Sequence, residues 1–234
     1  MNETYDFERA WLAKFSDCLN IQAGEQAREV VMQGSEALSS RSSSEEVITW
    51  SRHAMERLQE TVDPAGAQEI MAGCACHYPM DVLQEIREVY RATSSVDTAL
   101  RELQARFEAL LRDTLGLSDE LIQEVVSLGW GSAGVRHGDT IVATKIPKSG
   151  NLIAYFQEDD PEKRRQLYCH CPRIREVLAT SETIPPIYCY CGAGFYKDIW
   201  EKILQQPVKV EVLKSVLAGA DVCTIAVHPP RDLE

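Results

Sequence analysis

The sequence has no apolar run long enough to cross a bilayer, and its opening MNETYDFERAWLAKF is charged and amphipathic where a secretory leader would be apolar. A cytoplasmic protein without a membrane partner is therefore expected. Positive charge is also scarce, with 24 Lys and Arg against 36 Asp and Glu for a net charge of −12. That balance argues against a nucleic-acid partner. No helix-turn-helix is recognisable, and the glycine-rich GWGSAG segment has neither a lysine at the Walker offset nor a strand leading into it, so it is not read as a phosphate cradle. One more absence matters for the chemistry. There is no Cys-x-x-Cys, the turn that sets two sulfurs on one zinc ion.

What the chain has instead is Cys-x-Cys. Of eight cysteines, six fall in three such pairs: Cys74/Cys76, Cys169/Cys171 and Cys189/Cys191, with His77 and His170 beside the first two. Cys223 lies in the last apolar run, and Cys18 stands alone. Aromatic, strand-favouring residues flank the two later pairs. In an extended segment residues i and i+2 share a face, so each of these pairs is expected to turn both sulfurs one way. Two such segments side by side would offer Cys169, Cys171, Cys189 and Cys191 to one site. Four thiolates suit zinc or, alternatively, an iron–sulfur cluster, with Cys74, Cys76 and Cys223 as further possible ligands. Thiol redox chemistry and plain packing of small apolar residues are the competing readings. Disulfides within a pair are disfavoured by geometry, since the side chains run parallel, and by a reducing compartment.

Apolar residues recur at helical spacing through the first 128 residues. Helices are expected over 3–19, 24–38, 45–62, from Pro64 toward Met71, 80–92, 95–115 and 119–128, with a polar SSRSSSEE connection before the third. Beyond 128 the period shortens toward two, and IVATKIP, NLIAYFQE, VKVEVLKSV and VCTIAVHP read as strands, with one helix over 193–205. The expectation is an α+β fold with N-terminal helices packed on a C-terminal antiparallel sheet, divided into a helical part, 1–128, and a cysteine-rich ligand-binding part, 129–234.

Three features carry a resemblance: Cys-Gly-Ala-Gly-Phe at 191–195 opening a helix, Gln-Pro-Val-x-Val-Glu at 206–211, and Gly-Ala-Asp-Val-Cys at 219–223. The segment from Cys189 to Val227 resembles the end of the 4-vinyl-reductase-like small-molecule-binding domains. The resemblance implies a ligand pocket between helices and an antiparallel sheet, and in some sensor members a zinc ion. The positions matching the family's zinc ligands read Val212, Ser215 and Cys223, so only the last is retained. The whole chain also resembles relatives of 2-aminothiazoline-4-carboxylate hydrolase. Two functions follow as expectations. One is a metal-containing small-molecule-binding or sensing protein, with a homodimer among the possible states. The other is a hydrolase of a small cyclic substrate using metal-activated water or a thiolate, with Cys171 or Cys191 as nucleophile and His170 or His228 as base.

Overall fold

The computed structural model describes residues 6–230. Among these, ten α-helices come mostly first, and a four-stranded antiparallel sheet is built from segments between 135 and 228, as the change of period predicts. The chain forms two compact units, each made of two segments: 1–75 with 171–194, and 76–170 with 195–234.

The first unit holds α1 (Phe7–Met32), α2 (Ser44–Thr61), α3 (Pro64–Gly73), α9 (Pro172–Leu178) and the first turn of α10 (Tyr190–Leu204). Local chemistry sets where these helices start. Asp6 accepts the Arg9 N–H at 3.0 Å, Ser43 and Glu46 close a capping box, and Asp63 caps α3 with Pro64 in its first turn. Gly24, at φ 84° and ψ 173°, breaks the helical geometry of α1. The two helices expected over 3–19 and 24–38 are thus one long run with a kink. Trp11, Phe15, Leu19 and Val31 of α1 are buried, as are Ile48, Met55 and Leu58 of α2, Ile70 and Met71 of α3, and Ile174 and Val177 of α9. Transfer of such side chains from water stabilises a fold by about 1.5–3 kcal/mol each.

The second unit contains α4 (Met80–Thr93), α5 (Val96–Ala109), α6 (Asp119–Ser127), α7 (Leu152–Gln157), α8 (Pro161–Tyr168) and the remainder of α10. Its sheet has β1 (Val135–His137), β2 (Thr140–Thr144), β3 (Lys209–Lys214) and β4 (Thr224–His228) in the order β1-β2-β4-β3. All pairings are antiparallel, with Val142 opposite Ala226 and Val212 opposite Ile225. The glycine-rich segment meets a backbone need. At Gly134, φ is +82° and a Cβ would stand 2.7 Å from the Val142 carbonyl oxygen, so the approach to β1 requires glycine.

Two expectations are corrected. NLIAYFQE is helical over Leu152–Gln157, with Leu152 and Tyr155 buried. The thiol stretch is not strand: Cys169 ends α8, Cys171 precedes α9, and Cys189 and Cys191 lie in a 3₁₀ turn and the first turn of α10. Helical residues two apart point about 200° apart, so the second pair does not share a face.

Candidate functional site

The cysteines expected at one site belong to different units. Cys171, Cys189 and Cys191 lie in the first and Cys169 in the second, where it is buried at the end of α8. Among the described residues no group of three or more His, Cys, Asp or Glu side chains is arranged to hold a metal ion.

Within the first unit the structure brings together thiols that the sequence keeps far apart. Cys18, on the face of α1 that follows Trp11 and Phe15, meets the end of α3 beside Cys74. Gly73 permits this contact, since a Cβ there would stand 2.6 Å from the Cys18 sulfur. Cys74 is 1 % exposed, and its Sγ reaches the Ile70 carbonyl oxygen at 3.2 Å. A third sulfur is close by: Cys191 Sγ lies 3.6 Å from the Cys74 carbonyl oxygen. The first turn of α10 comes this near because residue 194 is glycine, where an added Cβ would stand 1.9 Å from the Ala72 carbonyl oxygen.

The two thiols of the pair are electrostatically unequal. The hydrogen bond from Cys74 is the main cause that brings Cys18 down from 9.0 to about 7, with Lys14 helping and burial and Asp17 opposing. The same bond, then burial, then the charge of Cys191 push Cys74 well above 9.0. Near neutral pH the thiol that ionises is therefore Cys18, while Cys74 keeps its proton. Lys14 stands one turn before Cys18 on α1, and its ammonium donates to the Ala75 carbonyl oxygen at 3.2 Å.

A buried polar group adjoins a fourth thiol of the same unit. Arg173 is 5 % exposed. Its guanidinium lies 4.1 Å from the Trp11 ring centroid, pairs with Glu8, and donates to Tyr188 Oη at 2.9 Å. Burial works against its charge, and Tyr188 and Glu8 more than restore it. Tyr188 Oη in turn lies 3.5 Å from Cys171 Sγ. Since the phenol oxygen accepts from Arg173, its own hydrogen is left for the Cys171 sulfur. Burial raises the Tyr188 pKa, so the phenol keeps that proton.

The other predicted residues lie in the second unit. His170 Nε2 bonds to the Ile146 carbonyl oxygen at 2.8 Å. His228 Nδ1 lies 3.2 Å from Thr140 Oγ1. Cys76 is exposed. Burial raises the pKa of Cys223, whose backbone N–H donates to Tyr168 Oη at 3.0 Å. Val212 is in β3, and Ser215 is buried with its hydroxyl accepting from Ala218 N–H. A constellation not anticipated from sequence is His77–Asp198: Nδ1 donates to Oδ1 at 2.7 Å. Asp198 also accepts from Lys202 at 2.8 Å and from the Tyr78 N–H at 3.3 Å. Burial opposes the charge of this carboxylate, but Lys202 and His77 hold it below the ordinary carboxylate range.

Residues 148–233 are similar to a family of unknown function (DUF6144). No curated protein and no solved structure matches the chain. No helix among the described residues is long and apolar enough to cross a membrane.

Proposed function

We propose that the first unit works by thiol chemistry, with Cys18 as the nucleophilic thiolate and Cys74 as the thiol that resolves it. The observation that carries this reading is the approach of the half-buried Cys18 sulfur to the end of α3, against Gly73 and beside the buried Cys74, whose thiol lowers the Cys18 pKa. A disulfide RSSR′ supplies the oxidant. The Cys18 thiolate attacks one of its sulfurs, R′S⁻ departs, and a mixed disulfide Cys18–S–S–R forms. Cys74 then loses its proton to the departed thiolate and attacks the Cys18 sulfur, expelling RS⁻. Two electrons pass to the partner and a Cys18–Cys74 disulfide remains. Lys14 supplies positive charge beside the attacking sulfur. Equilibration in glutathione buffers of graded potential tests this: Cys18 and Cys74 should oxidise together in one two-electron step. Independent glutathionylation of the two would contradict it.

A hydrolase reading of the second unit has one observation in its favour, the imidazole of His77 oriented by Asp198 with Nε2 turned away from the carboxylate. Its test is loss of turnover in His77→Ala on small cyclic amidines, with binding retained. The zinc or iron–sulfur reading of the Cys-x-Cys pairs, and the small-molecule pocket implied by the 4-vinyl-reductase-like resemblance, are tested by elemental analysis and native mass spectrometry of protein purified without oxygen.

A further inference from the structure

We infer that His77 is a phosphoryl-acceptor site, whose Nε2 takes a phosphoryl group from donors of the acyl phosphate and phosphoramidate class. With the hydrolase reading it shares only the oriented ring, and it requires no turnover. Its parts all lie in the second unit, on the loop before α4 and on α10 from Phe195 onward.

Orientation comes first. Nδ1 of His77 meets Asp198 Oδ1 at 2.7 Å. A carboxylate can only accept, so in the neutral ring the proton sits on Nδ1 and the free lone pair on Nε2. The His77 side chain is 57 % exposed and that of Asp198 13 %. The nucleophilic nitrogen is therefore turned away from a carboxylate that is buried behind it.

The mount is rigid. Asp198 Oδ2 accepts the Tyr78 backbone N–H at 3.3 Å, and Lys202, one turn further along α10, bonds to both carboxylate oxygens, at 2.7 and 2.8 Å. The Tyr78 ring packs on Phe195, one turn before Asp198, with centroids 5.8 Å apart. Loop and helix are thus joined on both sides of the imidazole. Two other histidines differ: Nε2 of His170 bonds to the Ile146 carbonyl oxygen, and Nε2 of His228 faces Glu211 at 3.8 Å.

Chemistry then selects the group. A ring this exposed suits a group carried to it by another molecule. The Nε2 lone pair forms the N–P bond while the bond from phosphorus to the leaving group breaks, and the carboxylate of an acyl phosphate, or the ammonia of phosphoramidate, departs with that electron pair. No proton has to move. Nδ1 keeps its hydrogen, and the positive charge that arises on the ring faces Asp198. An acyl group on the same nitrogen would be lost to water, whereas the negative charge of a phosphoryl group repels hydroxide.

The test is incubation of the full-length protein with phosphoramidate and, separately, with acetyl phosphate, followed by intact mass spectrometry, peptide mapping in alkali and phosphorus NMR. One phosphoryl group per chain should appear, stable in alkali and lost in mild acid, on Nε2 of His77 and ahead of the other four histidines. His77→Gln should acquire none on that peptide, His170→Asn should match the wild type, and Asp198→Asn should react more slowly by about tenfold or more. Should Asp198→Asn fail to fold by circular dichroism, nitrogen NMR of the wild-type ring takes its place and should find the proton on Nδ1. Absence of the group from His77, an even spread over the histidines, attachment at Nδ1, an unchanged rate in folded Asp198→Asn or a ring proton on Nε2 overturns the inference. Turnover of cyclic amidines without phosphorylation overturns this inference alone, and phosphorylation without turnover overturns only the hydrolase reading.

Discussion

Replacing Cys74 by alanine removes the hydrogen-bond donor that is the main cause of the Cys18 pKa of about 7. Without it the thiol returns toward 9.0. A change of two units corresponds to about 2.7 kcal/mol between the two protonation states. At pH 7 the thiolate fraction then falls from about one half to about one in a hundred, roughly 50-fold. Intrinsic nucleophilicity moves the other way, since a Brønsted coefficient of about 0.4–0.5 makes the more basic thiolate about 6–10-fold faster. The net expectation at pH 7 is a Cys18 alkylation rate lower by about 5–8-fold in Cys74→Ala, while at pH 10 the variant is the faster of the two. Stopped alkylation with iodoacetamide, read by peptide mass spectrometry from pH 5 to 10, measures both limbs. Rate profiles that do not cross, or an inflection that stays near 7 in the variant, would refute the reasoning.

Gly73→Ala places a methyl group about 2.6 Å from the Cys18 sulfur. It should turn that side chain away from Cys74 and raise the Cys18 inflection toward that of Cys74→Ala, with the helical circular dichroism unchanged. Gly194→Ala meets a backbone oxygen instead of a side-chain end, so it should unseat the first turn of α10 and lower the melting temperature by several degrees. Glu8→Gln leaves the Arg173 charge buried without its counter-ion, at a cost of about 3–5 kcal/mol measurable by urea denaturation. Stability should also follow the pair with pH. The lowered pKa of Cys18 stabilises the fold fully above about 9, and that contribution fades as pH falls to about 7. The raised pKa of Cys74 acts oppositely, costing stability above its unfolded value near 9.0. Together they place a maximum between about pH 8 and 9, with an amplitude near 1 kcal/mol after solvent screening of the half-exposed Cys18.

The helices before residue 128 are legible because their starts carry local chemistry: the Ser43/Glu46 box, Asp63–Pro64 and the Ser118 cap, each followed by apolar residues at helical spacing. The same Asp-Pro signal stands at Asp160–Pro161, where it starts α8. The aromatic and β-branched residues around it suggest strand and outweigh it on sequence alone. NLIAYFQE is too short for periodicity to separate the two states, and its helix is decided by burying Leu152 and Tyr155. The thiol site is less legible. Cys-x-Cys draws the eye to pairs adjacent in sequence, while the approach that forms brings Cys18, one of the two cysteines outside the pattern, beside Cys74 through helix packing. Its signal was present in two places. Cys18 continues the stripe of Trp11 and Phe15, and Gly73 precedes Cys74 as the residue small enough to admit a sulfur. His77 and Asp198 lie too far apart in the chain for any spacing rule to pair them.

The central claim, that Cys18 and Cys74 act as one dithiol, is tested most directly by mild oxidation of the folded protein with diamide, followed by alkylation and non-reducing peptide mapping. The account predicts one dominant new cross-link, joining the peptide of Cys18 to that of Cys74, with Cys169 and Cys223 recovered as alkylated thiols only after unfolding. A dominant cross-link within Cys169/Cys171 or Cys189/Cys191, with Cys18 still free, would contradict it.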